Sequence, residues 1–233
     1  MKCVFCSRMR RFLVAVMPAD VQTALATEKS KLLEWAYDQA NDTEIWRAGQ
    51  EKDRVSAAIE LDGVDRVSAF HEFLALAERG SLWSMVRVGY HYQVGRGTSL
   101  DIEKAEHWYR LAVDGGVQQA QLRLGKLYWC RKDFARAAEV YQVGAGQKWS
   151  PAMYRLAQCK LAMSRSRQTL SEARQLLEAA SEKGDLGAEL YLASLITRGR
   201  FGLRQIPRGW RRFREADRKI SIQLGEFAPS WTR

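Results

Sequence analysis

Apolar positions between residues 31 and 220 recur at helical spacing, and short turns rich in glycine and cap residues separate the helical runs. In the run from Lys31 to Ala40, apolar residues three and four positions apart mark one face, which is typical of an amphipathic helix. Asn41, Asp42 and Thr43 then supply cap residues before a second helical run. The pattern predicts an all-α chain.

A frame of small residues repeats along the chain at intervals of 32 to 36 positions. A small residue is followed five positions later by glycine or alanine, and these pairs are Ser84 and Gly89, Ala120 and Gly125, Ala152 and Ala157, and Ala188 and Ala193. A second helical run follows each pair. A period of this length predicts two antiparallel helices per unit and about four stacked units, because one unit alone cannot bury its apolar faces.

The second helices also keep step with the repeat. Ala105, Ala137 and Ala173 occupy equivalent positions, and Gly116 and Gly184 follow where a helix needs a left-handed C-terminal cap. Lys148 stands at that position in the second unit. The turn between the helices is shorter in that unit, which explains its period of 32.

The best-preserved copy runs from Ser81 to Gly116 and contains the motifs G-x-G, D-x-x-K-A and W-Y, while Ala120 to Tyr128 reads A-x-x-x-L-G-x-x-Y. These motifs resemble the Sel1-like repeat family, relatives of the tetratricopeptide repeats, over roughly residues 65–220. The third and fourth copies lose the glycine, the tyrosine and the tryptophan. The resemblance implies a right-handed superhelical α-solenoid of antiparallel helix pairs whose concave side holds partner proteins, usually without catalysis.

Four segments are expected along the chain. Residues 1–30 form a basic arm that is partly disordered or a short helix, and residues 31–64 form a helical cap over the end of the array. The repeat array covers residues 65–220, and residues 221–233 form a tail. The apolar run at residues 12–17 is too short to span a membrane and short for a signal peptide, so a cytoplasmic, bacterial protein is expected.

The three histidines do not predict a metal site. His71 and His107 occupy equivalent positions on second helices, whereas His91 lies on a first helix and on another face. Solvated or half-buried histidines are the expectation, and no metal or cofactor is expected.

The four cysteines show no disulfide framework. Cys3 and Cys6 have the C-x-x-C spacing of a redox or zinc site, but they lack a second pair and a strand–helix context. Cys130 and Cys159 are expected to be buried or half-buried thiols. An enzyme has no support beyond these cysteines and the histidines, and no small-molecule substrate is expected.

Charge changes this picture, because 37 Lys and Arg against 27 Asp and Glu give a formal charge of +10 and favour acidic partners. Three positions after the small residue of each first helix stand Arg87, Arg123, Arg155 and Tyr191, and one turn further stand Tyr90, Lys126, Gln158 and Ser194. Equivalent positions align in stacked units, so a basic, amide-bearing groove is predicted for an acidic or extended segment of a partner protein. The alternative is that these arginines pair with acids on neighbouring helices.

A second basic region lies near the C-terminus, where residues 198–219 contain nine basic residues and two acids. Aromatic residues interleave with the arginines, a composition suited to nucleic-acid bases or an anionic membrane surface. The candidate residues are Arg208, Trp210, Arg211, Arg212 and Arg214. The alternative is the solvated face of a final helix, because Phe213 and Ala216 occupy core positions of the repeat.

The sequence therefore predicts a non-enzymatic adaptor or regulator that holds another protein in the groove. Binding of nucleic acid or an anionic membrane through the C-terminal helix is the alternative function.

Overall fold

The computed structural model describes the backbone of residues 52–227 and the side chains of residues 53–222. In this range the chain forms ten α-helices and one 3-10 turn. The helices are α1 (Lys52–Val64), α2 (Arg66–Glu78), α3 (Leu82–Val94), α4 (Ile102–Asp114), α5 (Gln118–Cys130), α6 (Phe134–Gly146), α7 (Ser150–Met163), α8 (Arg167–Glu182), α9 (Leu186–Thr197) and α10 (Ile206–Phe227). The all-α prediction is confirmed. The expected N-terminal arm and the helix predicted at Lys31–Ala40 lie outside the described residues.

The described part of the chain divides into two compact units, residues 52–180 and residues 181–227. The described part of the first unit contains α1 to α7 and nearly all of α8. In the second unit, α9 packs along α10, with the 3-10 turn Leu203–Gln205 between them. The expected cap at residues 31–64 and array at residues 65–220 remain predictions of domain organisation.

The two helices of a pair differ in how deeply they are buried. The first helices α3, α5 and α7 each bury seven residues, whereas the second helices α4 and α6 each bury three. A helix that buries one narrow stripe has one packed side, and a helix that buries half of its residues is covered on several sides. Polar side chains on the first helices therefore lie close to the core.

The repeated small residues are the points where the paired helices approach most closely. Ser84, Ala120 and Ala152 are fully buried. A Cβ atom built on Gly89 would lie 2.7 Å from the ring of Tyr109, and one built on Gly125 would lie 2.3 Å from the ring of Tyr141. In the first two repeats, glycine therefore makes room for a tyrosine of the second helix.

The later repeats fill the same positions differently. In the third repeat Ala157 and Leu177 replace glycine and tyrosine, and both are fully buried. In the second compact unit Ala193 and Phe213 belong to one core cluster with Leu190, Ala216 and Ile220. In these two repeats alanine takes the place of glycine, and leucine or phenylalanine takes the place of tyrosine. The weaker copies thus keep the packing while losing the motif.

The ends of the second helices follow the prediction for left-handed caps. Gly116 and Gly184 both have φ near +87°, a region that glycine adopts without a Cβ penalty. Lys148 adopts φ +58° at the equivalent position. The repeat geometry therefore imposes this conformation even where the residue is not glycine.

Candidate functional site

The predicted arginine row begins at the contact between α3 and α5. The guanidinium carbon of Arg87 lies 5.7 Å from the centre of the Tyr90 ring, and that of Arg123 lies 5.4 Å from the same ring. All three side chains are half-buried. A ring that faces two cations joins equivalent positions of neighbouring repeats into one basic surface.

Arg87 also has an acidic partner that the repeat pattern did not predict. Its Nη2 donates to Asp62 Oδ2 at 3.2 Å, and Arg96 Nε donates to Asp62 Oδ1 at 2.8 Å. The side chain of Asp62, on α1, is 9% exposed. The hydrogen bond that Arg96 donates to Asp62 raises the pKa of the Arg96 guanidinium. One carboxylate therefore holds two arginines, and the alternative of arginine pairing with an acid on a neighbouring helix holds for Arg87.

The third repeat orders its arginine by a different set of bonds. Arg155 Nη1 donates to Gln158 Oε1 at 2.9 Å, and Gln158 Nε2 donates to the Tyr154 hydroxyl at 2.8 Å. The Arg155 guanidinium also lies 5.2 Å from the centre of the Tyr154 ring. The two predicted residues, one from each row, therefore contact each other on α7. This closed arrangement fixes the direction of the guanidinium.

The two other predicted groove residues occupy different settings. Lys126 is exposed on α5. Tyr191 is half-buried on α9, in the second compact unit, and its carbonyl oxygen accepts a bond from the Ser194 hydroxyl at 2.7 Å. The first compact unit thus contains Arg87, Tyr90, Arg123, Lys126, Arg155 and Gln158.

The C-terminal helix α10 places its arginines on two different sides. Arg208, Arg211 and Arg214 are exposed, and so is Arg218. Phe213, Ala216 and Ile220 form the opposite, buried side. The prediction of a solvated basic face on a terminal helix therefore holds for these arginines.

Two of the predicted polyanion-binding residues are packed instead. Arg212 is joined to Glu189 of α9 through its Nε, which donates to Oε1 at 2.8 Å, and through its Nη2. Trp210 is half-buried and lies edge-on to Phe213, with ring centres 6.2 Å apart. Phe213 is 8% exposed. Phe213 is therefore part of the core, as its position in the repeat predicted, and its ring is not available for stacking on bases.

Comparison with known proteins identifies the repeat. The Sel1 repeat model matches residues 84–117 and 150–185, which correspond to the helix pairs α3–α4 and α7–α8. The putative sel1-like repeat-containing protein L21 of Acanthamoeba polyphaga mimivirus is 28% identical over 88 residues, which is 38% of this chain and 16% of that protein. The chain therefore contains Sel1 repeats.

Two solved structures share the fold of this Sel1-like repeat chain. The antigen c5321 of uropathogenic Escherichia coli superposes with a TM-score of 0.61 at 20% identity, over 73% of this chain and 38% of that one. A Sel1 repeat protein from Oxalobacter formigenes superposes with a TM-score of 0.60 at 20% identity, over 83% of this chain and 84% of that one. The predicted solenoid of helix pairs is confirmed.

The regions matched by the repeat model do not follow the number of signature residues that each repeat keeps. The third repeat is matched although alanine and leucine stand where the first repeat has glycine and tyrosine. The second repeat has the glycine and the tyrosine, but a turn of only three residues separates α5 from α6. A match to the repeat model therefore does not follow from the signature residues alone.

Sel1 repeats generally mediate protein–protein interaction and form non-catalytic scaffolds. In the described range, residues 52–227, no three His, Cys, Asp or Glu side chains gather as a metal-ligand set would. None of the helices described there is long and apolar enough to cross a membrane.

The histidines of the Sel1-like repeat chain divide between surface and core. His71 and His107 are exposed, whereas His91 is fully buried, so the expectation of a half-buried ring is wrong for His91. Its Nδ1 donates to the Arg96 carbonyl oxygen at 2.7 Å, since a carbonyl can only accept. Burial lowers the pKa of the His91 imidazole. This ring is a neutral anchor for the turn that places Arg96 beside Asp62.

The described cysteines also separate by exposure. Cys159 is buried, and burial raises the pKa of its thiol to about 12, so the thiol is protonated and unreactive at neutral pH. Cys130 is exposed, which contradicts the expectation of a buried or half-buried thiol there. Cys3 and Cys6 lie outside the described residues.

Sequence reasoning missed three residues that shape these surfaces, namely Asp62, Tyr154 and Arg218. Asp62 lies before the repeat array, so repeat arithmetic had no equivalent position to compare with it. Tyr154 precedes Arg155 directly and gave no periodic signal. Arg218 follows Arg214 by four positions, and this helical spacing was sufficient to find it.

Proposed function

We propose that the chain is a non-enzymatic adaptor that holds an acidic, extended segment of a partner protein along α3, α5 and α7. The observation that carries this proposal is the position of Arg87 and Arg123 over one Tyr90 ring. Guanidinium groups pair with carboxylates through two parallel hydrogen bonds, so a row of them suits a chain of acidic residues. A cytoplasmic, bacterial setting remains a prediction from the sequence.

The three arginines are not equivalent in this proposal. Asp62 already pairs with Arg87, so part of that charge is compensated within the protein. Arg155 is oriented by the uncharged amide of Gln158. In this proposal Arg87 positions Tyr90 between two cations, and Arg123 and Arg155 contact the acidic segment.

The proposal is tested with a fluorescent peptide in which Glu alternates with Ser, compared with a matched peptide that has Gln in place of Glu. We expect the full chain to bind the acidic peptide and not the neutral one, as measured by fluorescence anisotropy. R123E and R155E should each weaken binding about tenfold, because a hydrogen bond to a charged group contributes about 1.5–3 kcal/mol.

The matched control is R165E/R167E, which reverses two exposed arginines outside the two groove rows. It should leave peptide affinity unchanged, and circular dichroism should show equal helicity for all variants. Equal binding of the acidic and neutral peptides, or equal loss in the control, would contradict the proposal. Arg87 is left unchanged, because a glutamate there would face Asp62.

A further inference from the structure

The solvent side of α10 carries four arginines that make no bond to another described residue. Arg208, Arg211, Arg214 and Arg218 are exposed, and none of them forms an ion pair or hydrogen bond within the described part of the chain. The nearby Glu215 is already paired with Lys219, with Nζ and Oε1 3.0 Å apart. The four positive charges therefore face the solvent without compensation.

Their spacing makes them a single row. Intervals of three, three and four residues keep side chains on one face of a helix. At 1.5 Å per residue, neighbouring arginines are about 4.5–6 Å apart along the axis, and the row is about 15 Å long. This row, Arg208, Arg211, Arg214 and Arg218, is named the α10 row below.

The charge of the whole chain is concentrated around this row. Residues 198–219 contain nine basic residues and two acids, and thus carry +7 of the formal charge of +10. The remainder of the chain is nearly balanced. Such local concentration produces a strong positive potential at one surface and attracts polyanions at low ionic strength.

Two kinds of partner fit this helix poorly. An interfacial membrane helix needs its apolar side for the lipid, but Phe213, Ala216 and Ile220 are packed within the protein core. The core of a protein–protein interface is depleted of charge and rich in apolar or aromatic groups. Among the side chains described beside the α10 row, the large exposed apolar ones are Leu203 and Ile222, which are nineteen positions apart.

Single-stranded nucleic acid fits less well than a duplex. Proteins that bind single strands use aromatic rings as stacking platforms. Trp210 is half-buried and lies edge-on to Phe213, so its ring is only partly exposed beside the α10 row. What remains is a line of guanidinium groups, which suits the regularly spaced phosphates of a duplex.

We propose that α10 binds the phosphate backbone of nucleic-acid duplexes, independently of base sequence, through Arg208, Arg211, Arg214 and Arg218. The binding is electrostatic, and its strength is set by the number of phosphates that the row neutralises. It involves a different surface from the proposed peptide groove, so either proposal can fail alone.

The test titrates the full chain into a short fluorescein-labelled DNA duplex of mixed sequence at several KCl concentrations. We expect a Kd of the order of 10⁻⁵ M and a log–log salt slope of about −3 to −4, because each neutralised phosphate contributes about −0.9. Replacing one arginine, as in R211Q, should reduce the slope by about one.

The decisive variant is R208Q/R211Q/R214Q/R218Q, and its matched control is R131Q/R136Q/R165Q/R167Q. Both remove four exposed arginines and the same net charge, but the control residues lie in the first compact unit. The row variant should bind the duplex at least about a hundredfold more weakly, because four arginines carry nearly the whole electrostatic contribution. The control should keep most of the affinity and the slope.

Three outcomes would overturn the proposal. They are an absence of duplex binding at low salt, an equal loss of affinity in both quadruple variants, and tighter binding to poly(dT) or to phosphatidylglycerol vesicles than to the duplex. Circular dichroism of both variants verifies that helicity is retained, which is expected because every substituted side chain is on the surface.

Discussion

The arginines of the first helices and those of α10 have the same chemistry but very different surroundings. Arg87 and Arg123 are half-buried against Tyr90, and Asp62 compensates the charge of Arg87. Arg211 and Arg214 are exposed and have no partner in the described structure. The guanidinium groups of the first set are held in place by these contacts, and their charge is partly neutralised. This arrangement suits a ligand with carboxylates at defined positions. The second set is exposed and has no charge partner among the described residues, which suits a polyanion with no defined position.

The same two regions also differ in how they pack their helices. In the second repeat Gly125 accommodates the ring of Tyr141, whereas in the last helix pair Ala193 packs in one cluster with Phe213. Glycine leaves room for a larger side chain on the second helix. With alanine at that position, either the two helices lie further apart or the second helix carries a smaller side chain. The two regions therefore differ both in the packing of their helices and in the surroundings of their arginines.

The largest effect is expected from D62N, which removes the carboxylate that compensates two arginines. Because Asp62 is nearly buried, its loss should leave Arg87 and Arg96 without their charge partner and destabilise the chain by about 3 kcal/mol. Urea unfolding followed by circular dichroism measures this change. E60Q, an exposed position on the same helix, should stay within about 0.5 kcal/mol. Equal stabilities of D62N and E60Q would show that the groove arginines do not depend on Asp62.

A smaller effect is expected from G125A. The added methyl group would lie 2.3 Å from the ring of Tyr141, which is packed in the core, so the free energy of unfolding should fall by about 2 kcal/mol. G146A is the matched control, because no atom lies within 4 Å of a Cβ at that position and alanine favours a helix. Thermal unfolding should rank G146A at or above the wild type, and a stable G125A would contradict the close contact.

The smallest effect separates two adjacent arginines of α10. R212Q should cost about 1.5 kcal/mol, because Glu189 loses a charged partner in a half-buried site. R211Q should leave stability within about 0.5 kcal/mol, since its side chain is exposed. Denaturant unfolding of both single variants measures the difference. If both variants were equally stable, the packed and exposed sides of α10 would not be energetically distinct.

The repeat architecture was predictable because it is written in local spacing. Periodic small residues placed Ser84, Ala120 and Ala152 in the core, and all three are fully buried. The cap glycines were predictable for the same reason, since φ near +87° at Gly116 follows from the need to end a helix. The arginine row across α3 and α5 was predictable from equivalent positions in stacked units.

The partners of individual side chains were not predictable. Sequence composition treats Arg211 and Arg212 alike, but a step of 100° around the helix turns one to the solvent and the other to Glu189. His91 was expected to be solvated or half-buried, yet its ring is fully buried near Phe70 and Phe73. The local sequence pattern does not indicate which distant residues contact a given side of a helix.

The sequence by itself determined the helix pairs, their register and the positions where small residues bring them together, because these depend on short-range periodicity. Only the tertiary structure decided which arginines are compensated and which remain charged at the surface. Asp62 and Arg87 are 25 positions apart, and Glu189 and Arg212 are 23 apart. Such pairs exist only after the helices have packed, and burial then sets the chemistry of each charge.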